Sequence, residues 1–238
     1  MHHIKYLLLT LTLIWVTACN STKEPKKEEI KESNTTHTTT RIEISTLGDL
    51  SPKQKIVKQE LDLYLQDLST FNTDSIVNKT YPKLFGVIDL DLFRQYIASM
   101  MNSTDIAMTS YESNITELST VTTFSNETQF AQAKYTSTVK MHFLNDALYN
   151  NEEKINFLYD ALIHKYGQEN IHIDVEKRTL QIKKSEKLLI IKEKDTEWKF
   201  LGDNKKYRQL YPSFLPQEIL KILNNKKIIK RKDTNETI

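Results

Sequence analysis

A single cysteine, Cys19, limits how this chain can be stabilised, because an intramolecular disulfide requires two. The fold must therefore be held by its hydrophobic core, even in an oxidising compartment that allows disulfides. Cys19 comes shortly after the segment 7–16, which is apolar except for Thr10 and Thr12. A membrane-spanning helix needs about 20 apolar residues, so this segment is too short to act as one.

The start of the chain has the three parts of a secretory leader: a polar beginning with histidine and lysine, an apolar segment, and small residues before the cysteine. The run Val16-Thr17-Ala18-Cys19 resembles the lipobox of a bacterial lipoprotein signal peptide. This resemblance implies that the signal peptide, 1–18, is removed and that Cys19 is the lipidation site. Its acyl chains then hold the protein in a membrane. The alternative is an ordinary secretory signal in which Cys19 is incidental.

The stretch 19–47 differs in composition from the rest of the chain. It is rich in Ser, Thr, Lys and Glu and has few residues that a core can bury, which predicts a lipidated cysteine followed by a flexible polar linker. A coil of about 27 residues has a root-mean-square reach of roughly 30 Å. Acidic and basic residues are mixed after Cys19. The resemblance then implies a lipid-anchored protein of the bacterial cell envelope, in the outer membrane and facing the periplasm.

The composition fits one globular domain on this tether. The 238-residue chain is 39% hydrophobic and 27% charged, close to globular averages, and we predict a single domain over 48–224. The 33 basic and 31 acidic residues give a net charge of only +2, which argues against a nucleic-acid partner. As the lipobox resemblance implies, contact with the membrane is expected through the lipid on Cys19.

Three helices are predicted in the first part of this domain. Ser51, Asn72 and Asp89 are suitable N-cap residues, and each precedes a segment with helical spacing of apolar residues. After Ser51, Pro52 occupies the first helical position and Gln54 supplies the partner of a capping box. In the third helix, six residues are expected on one side: Leu92, Phe93, Tyr96, Ile97, Met100 and Met101.

Farther along, the spacing of apolar residues changes from that of helices to that of strands. Ile106, Met108 and Ser110 alternate with polar residues, and 133–143 gives the clearest alternation in the chain. Four more short strands are predicted at 171–175, 180–182, 188–191 and 198–201. Helices are predicted at 152–166, ending at Gly167, and at 216–223. The basic tail, 225–238, is expected to be disordered.

Helices followed by mostly antiparallel strands, with one inserted and one C-terminal helix, indicate an α+β fold in which the N-terminal helices pack on a bent sheet. This order resembles the nuclear-transport-factor-two-like cone, through the helical first third and the segments Tyr81-Pro82-Lys83-Leu84-Phe85 and Glu197-Trp198-Lys199-Phe200-Leu201. With the lipobox and the linker, these segments also look like uncharacterised lipoproteins of Bacteroidota-type bacteria. The cone superfamily includes isomerases, dehydratases and pure binding domains, so this fold alone does not define function.

Tyr135 and Ser137 are the candidate ligand-binding residues. They share the apolar face of the predicted strand 133–143 and can point polar groups into a pocket. The alternative is a buried tyrosine with a satisfied hydroxyl and a serine in a tight spot. His142 falls on the opposite face, towards solvent. His172 and Asp174 share a strand face as a conceivable acid–base pair, which an exposed polar face explains equally well.

Two classes of function are compatible with this sequence. Because no metal-ligand spacing is recognisable, we expect no metal and no cofactor, and no catalytic residue is identified. We expect a non-catalytic binding or interaction domain whose partner is an envelope protein or a small apolar ligand. The alternative is a small isomerase-type or hydratase-type enzyme with a pocket inside the cone. A buried Asp, Glu or His beside Tyr135 favours the enzyme.

Overall fold

The computed structural model describes residues 44–45, 47–145 and 152–232. Cys19, the signal peptide 1–18 and most of the predicted linker lie outside the described residues, as does 233–238 of the basic tail. The expectations about these parts stay predictions.

The described residues form five α-helices and seven strands. The helices are α1 (Pro52–Thr70), α2 (Thr73–Lys79), α3 (Leu90–Met101), α4 (Glu152–Tyr166) and α5 (Gln217–Lys232). The strands are β1 (Ile44–Ser45), β2 (Ile106–Ser119), β3 (Thr122–Thr123), β4 (Gln129–Phe143), β5 (Ile171–Asp174), β6 (Thr179–Lys192) and β7 (Lys199–Gly202). Short 3-10 helices lie at Pro82–Gly86, Gln168–Asn170 and Lys205–Ser213.

The sheet has the order β1-β2-β4-β6-β5, with β3 paired to β4 and β7 paired to β6. Each of these strand pairs is antiparallel, and one isolated parallel bridge joins Thr80 to Phe200. Helices thus precede, interrupt and follow a mostly antiparallel sheet. The predicted α+β class is confirmed.

The predicted helix ends follow from local side-chain chemistry. The Gln54 amide N–H donates to Ser51 Oγ at 3.3 Å and the Ser51 amide N–H donates to Gln54 Oε1 at 3.0 Å, so the capping box is present. Asn72 and Asp89 also accept hydrogen bonds at the starts of α2 and α3. Gly167 follows α4 with φ of 88°, a left-handed conformation that favours glycine.

The apolar side of α3 is narrower than the sequence predicts. Ile97 is buried, but Leu92 is 63% exposed and Met101 is 52% exposed. Their expected place on the packed side was therefore wrong. The packed side of α3 consists of Ile97, which is buried, and of the partly buried Phe93, Tyr96 and Met100.

The strand β6 replaces two of the predicted short strands, 180–182 and 188–191. The intervening polar residues 183–187 are paired with β4 throughout, for example Lys183 with Thr138 and Lys187 with Lys134. In the sequence, the polar residues 183–187 suggest a charged turn. In the structure, they belong to a strand with one face exposed to solvent. Lys183, Ser185 and Lys187 are exposed, whereas Lys184 and Glu186 lie on the opposite face and are half-buried.

The strand β2 contains a β-bulge that the sequence does not predict. Its register shifts between Met108 and Ser110, so Ser110 lies opposite Lys140 and Tyr111 lies opposite Val139. The extra residue moves the alternation by one position. As a result Tyr111, rather than Ser110, shares a face with Met108, which corrects the predicted alternation at Ser110.

Three clusters of buried side chains hold the domain together. The N-terminal cluster packs α1, α2 and α3 on one end of the inner sheet face and includes Leu61, Ile76, Ile97, Ile115, Tyr135, Leu188 and Phe200. The α4 cluster covers the other end of that face and includes Val139, Met141, Leu158, Leu162, Leu180 and Ile182. The C-terminal cluster covers part of the outer face and includes Phe130, Leu189, Ile191, Leu201, Tyr211 and Ile219.

The two segments that carry the family resemblance meet in the fold. The Tyr81 amide N–H donates to the Phe200 carbonyl at 2.9 Å, and Lys199 Nζ donates to the Asn78 carbonyl at 2.8 Å. The Phe200 ring stacks on Tyr64 of α1 with centroids 4.5 Å apart. These contacts join the first helices to the last strand of the sheet, while the resemblance to a cone family stays a prediction.

Candidate functional site

A polar row crosses the inner sheet face between the N-terminal cluster and the α4 cluster. It consists of Ser113, Ser137 and Lys184, on β2, β4 and β6; Ser113 lies opposite Ser137, and Ser137 lies opposite Lys184. Residues directly opposite one another share a sheet face, with Cβ atoms about 4.5–5.5 Å apart. The row therefore forms a polar gap between two apolar clusters of the same face.

Glu186 adds a carboxylate to this gap. It lies opposite Tyr135, and the Tyr135 hydroxyl donates a hydrogen bond to Glu186 Oε2 at 3.0 Å. The Glu186 side chain is 38% exposed, whereas Tyr135 is only 6% exposed. The carboxylate thus has a buried partner on one side and solvent access on the other.

Lys184 brings a positive charge beside Glu186. Its Nζ lies 3.8 Å from Glu186 Oε1, and its side chain is only 15% exposed. At this distance the two side chains form an ion pair, but the atoms are too far apart for a hydrogen bond. The ammonium thus offsets the charge of Glu186 beside the polar row.

Ser137 is the most deeply buried polar group of the row. It is 1% exposed, and its Oγ has no hydrogen-bond partner among the described residues. The Tyr111 hydroxyl lies beside Ser137, and hydrogen bonding to Ser137 acts to lower the pKa of Tyr111 against the larger effect of burial. A buried hydroxyl without a partner is unfavourable and therefore unusual in a folded protein.

The negative charge of Glu186 affects the ionisation of three tyrosines. Burial and then the negative charge of Glu186 raise the pKa of Tyr111 to about 12, while the hydroxyls of Ser137 and Tyr135 act in the opposite direction. Burial and Glu186 likewise raise the pKa of Tyr166, at the end of α4, to about 12. Burial, Glu186 and neighbouring tyrosines hold the pKa of Tyr135 well above its usual value. These phenols are neutral donors at physiological pH.

A cleft of about 300 Å³ opens next to this group, between α1 and β2. Its lining is mixed: Leu47, Leu65 and Ile115 are apolar, whereas the rest of the lining is polar, charged or aromatic and consists of Lys58, Asp62, Gln66, Ser69, Tyr111, Ser113 and Asn114. Since Ser113 belongs to the polar row, the cleft adjoins the buried polar groups. We call the polar row together with Tyr111, Tyr135 and Glu186 the polar centre.

The structure brings the two sequence candidates, Tyr135 and Ser137, into the polar centre. The Tyr135 hydroxyl has a hydrogen-bond partner, as expected if this residue were only a buried tyrosine of the core. The Ser137 hydroxyl has none among the described residues. His142 lies outside this centre, on the opposite face of β4, and is half-buried. His172 is exposed, and the Asp174 carboxylate accepts two hydrogen bonds from Lys177 at 2.9 Å. These bonds lower the pKa of Asp174 and hold the turn after β5.

Four members of the polar centre escape sequence reasoning: Tyr111, Ser113, Lys184 and Glu186. The signal for the last two is present, because Leu180, Ile182, Lys184, Glu186, Leu188 and Ile190 recur at every second position. Dividing this run into two short strands hides the alternation. The signal for Tyr111 is lost through the β-bulge at Met108 and Ser110, since a bulge changes which residues share a face.

The described residues contain no group of three or more His, Cys, Asp or Glu arranged to hold a metal ion. None of their helices combines the length and the apolar character that crossing a membrane requires. In comparisons with known proteins, no family model, no curated protein and no solved structure matches the chain. Function is therefore inferred from the chemistry of the polar centre.

Proposed function

We propose that this protein is a lipid-anchored envelope protein whose α+β domain binds a small ligand at the polar centre. The sequence Val16-Thr17-Ala18-Cys19 supports the anchor. The binding function is supported by the cleft of about 300 Å³ beside the inner sheet face, a volume at the lower end of the range for ligand sites. The proposed role is non-catalytic binding.

One observation carries the binding proposal: the buried Ser137 Oγ lacks a hydrogen-bond partner among the described residues. It lies opposite Lys184, which forms an ion pair with Glu186 on the same sheet face. Leaving a buried hydroxyl unsatisfied costs free energy, which a bound ligand recovers by forming a hydrogen bond with it.

Native mass spectrometry of the protein extracted from its own envelope tests this function. We expect a discrete bound mass of a small molecule, absent from a Ser137→Leu variant whose circular dichroism is unchanged. Ser185→Leu is the matched control, because Ser185 is exposed on the outer face of the neighbouring strand. A preparation that carries only a protein partner, or nothing, contradicts the small-ligand proposal and favours an interaction module.

The anchor is tested separately through Cys19. We expect wild-type protein to incorporate labelled fatty acid and to sediment with membranes, because two or more acyl chains give stable anchoring. A Cys19→Ser variant should lose both properties. If that variant still sediments with membranes and carries the same label, the lipoprotein assignment is wrong, whatever the polar centre binds.

A second candidate function is a small enzyme of the isomerase or hydratase type. The specific observation that favours it is the carboxylate of Glu186 beside the buried Tyr135, 3.0 Å from its hydroxyl. A carboxylate that is partly open to solvent can accept a proton from a substrate, and the phenol can orient it. Once a bound ligand is known, its proton exchange in deuterated water is the test. Exchange catalysed by wild type and lost in Glu186→Gln indicates an enzyme.

A further inference from the structure

Beyond the small-ligand function, we propose that the segment 110–115 of β2, here called the open edge, binds an extended segment of a partner protein as an additional antiparallel strand. The partner segment alternates basic residues, which lie beside Glu112 on the outer sheet face, with small uncharged residues, which enter the cleft between α1 and β2. This interaction uses the backbone of β2 and does not require a ligand at the polar centre.

The strand β2 is paired on one side only over most of its length. β4 pairs with it from Ile106 to Leu118, whereas on its other side, among the described residues, β1 pairs only with Leu118 and Ser119. The register with β4 shifts at either end of the open edge and is regular within it. The N–H and C=O groups of every second residue there point away from the sheet. Such a row is satisfied by the backbone of another extended segment.

The open edge is accessible and lacks the usual protection of edge strands. Its residues 110–114 are half-buried or exposed, and it contains neither lysine nor proline, the residues that commonly keep other strands away. The same sheet has a second unpaired edge at 183–186 of β6, between the stretches that pair with β5 and β7. That edge carries Lys183 and Lys184 and is followed by the exposed Lys187. Lysines therefore protect the β6 edge, while the open edge of β2 can accept a strand.

The position of α1 favours a single segment over a second copy of this chain. α1 lies over β2 and forms one wall of the cleft of about 300 Å³. A strand paired to the open edge lies about 4.8 Å from β2, and its inward side chains can enter the cleft. A second copy carries its own α1 over its own β2. The two helices would then lie closer than the separation of about 8–10 Å that packed helices need.

Charge and lining define which segment fits. Glu112 is exposed and lies on the outer face, since Ser113 beside it faces inwards. A basic side chain opposite Glu112 forms a favourable cross-strand pair. In the cleft, Lys58 and Asp62 pair with each other at 2.7 Å and add no net charge. Because the cleft lining mixes apolar and polar residues, threonine, with a methyl and a hydroxyl group, suits the inward positions.

Fluorescence anisotropy of a labelled seven-residue peptide of alternating Thr and Lys tests the interaction, using the full chain with Cys19→Ser. The control peptide alternates Thr and Glu. We expect the Thr–Lys peptide to bind at least about threefold more tightly, the difference that a cross-strand charge pair produces. The net charge of +2 favours the Thr–Glu peptide, so general attraction cannot produce this preference.

Two N-methylated forms of the Thr–Lys peptide test pairing through the backbone. One is methylated at the amide of every lysine and the other at the amide of every threonine. Successive residues of a strand direct their N–H groups to opposite sides, so only one of these two sets can face β2. We therefore expect one methylated peptide to bind and the other to fail.

Charge reversal and hydrogen exchange localise the site. Glu112→Lys should reverse the preference, so that the Thr–Glu peptide binds more tightly. Glu176→Lys, at an exposed position in the turn after β5, is the matched control and should leave the preference unchanged. In hydrogen–deuterium exchange followed by mass spectrometry, the Thr–Lys peptide should slow exchange at 110–115 and leave 183–186 unchanged.

Each other result overturns the proposal. Equal binding of both methylated peptides means that the backbone is not recognised, and equal shifts in Glu112→Lys and Glu176→Lys mean that general charge attracts the peptide. Without peptide binding, or without slower exchange at 110–115, the proposal is wrong. Slow exchange there in the protein alone means that the edge is already covered, by a second copy if the protein sediments as a dimer and by its own chain if it sediments as a monomer. The small-ligand function is decided separately by native mass spectrometry.

Discussion

Tyr135 and Glu186 face each other across β4 and β6 on the inner sheet face, and the Tyr135 hydroxyl donates a hydrogen bond to Glu186 Oε2 at 3.0 Å. Tyr135 belongs to the N-terminal cluster, whereas Glu186 belongs to the polar gap. The bond therefore joins the core of the domain to its candidate site. Changes at this pair should affect stability and ligand binding together.

Removing the hydroxyl in Tyr135→Phe should destabilise the domain by about 1–2 kcal/mol, because a hydrogen bond to a charged group is lost. Urea denaturation monitored by circular dichroism measures this change. Glu186→Gln keeps an acceptor for the same hydroxyl and should cost less. If Tyr135→Phe is as stable as wild type, the bond contributes nothing and Glu186 is not held by Tyr135.

A second prediction concerns alkaline pH. Burial and Glu186 raise the pKa of Tyr111 to about 12, above the value of about 10 for an unfolded tyrosine. The folded state thus binds this proton more tightly. The protonated Tyr111 side chain contributes its full stabilisation below about pH 10, and this stabilisation is lost as the pH rises towards 12. The free energy of unfolding should fall across this window.

Ultraviolet absorbance of the phenolate checks this assignment residue by residue. The difference between wild type and Tyr111→Phe should show no phenolate from Tyr111 near its ordinary pKa while circular dichroism still reports a folded protein. The fall in stability above about pH 10 should also be shallower in Tyr111→Phe. Ionisation of Tyr111 at its ordinary pKa in the folded state contradicts the closed surroundings described above.

The sequence predicts the framework of this fold better than it predicts the candidate site. Local chemistry at Ser51, Asn72 and Gly167 determines where helices begin and end, so these positions are recognisable without any tertiary information. The polar centre depends instead on how β2, β4 and β6 align, which joins residues more than 20 positions apart in the chain. Tyr135 and Ser137 could be recognised as candidates from the sequence because β4 alternates cleanly. Lys184 and Glu186 can be recognised only when the pairing of β6 with β4 is known.

A third prediction concerns Glu193, which joins the segment after α2 to the end of β6. Its Oε1 accepts hydrogen bonds from the Tyr81 hydroxyl and Lys83 Nζ, both at 2.6 Å. Glu193→Ala should destabilise the domain by about 1–2 kcal/mol, because Tyr81, which is 1% exposed, loses its acceptor. Glu197→Ala, which removes a carboxylate that is 84% exposed, is the matched control and should have little effect.

The contribution of Glu193 should also depend on acid. Burial alone raises the pKa of this carboxyl, but the hydrogen bonds from Lys83 and Tyr81 outweigh burial and lower it. A lowered folded pKa stabilises the protein above the unfolded value of about 4.3, and this stabilisation is lost as the pH falls through the folded pKa. Glu193→Gln has no carboxyl at this position, so its free energy of unfolding should fall less in acid than that of the wild type. An unchanged acid profile contradicts the proposed pairing.

A fourth prediction concerns the ion pair that fixes the start of the C-terminal segment. Arg208 Nε donates to Asp203 Oδ1 at 2.9 Å and its Nη2 donates to Oδ2 at 2.6 Å. The Asp203 side chain is 1% exposed. Arg208→Ala leaves this buried carboxylate without its cation and should cost about 3–5 kcal/mol. Arg208→Lys should recover only part of that, because lysine cannot form the two parallel hydrogen bonds.

Thermal and urea denaturation of these variants, with Arg94→Ala as the control, measure the effect. Arg94 pairs with Asp74 at 2.9 Å, but the Asp74 side chain is 84% exposed, and such surface pairs contribute about 0–1 kcal/mol. Equal losses of stability in Arg208→Ala and Arg94→Ala mean that the burial of Asp203 does not make its ion pair more important than the exposed one.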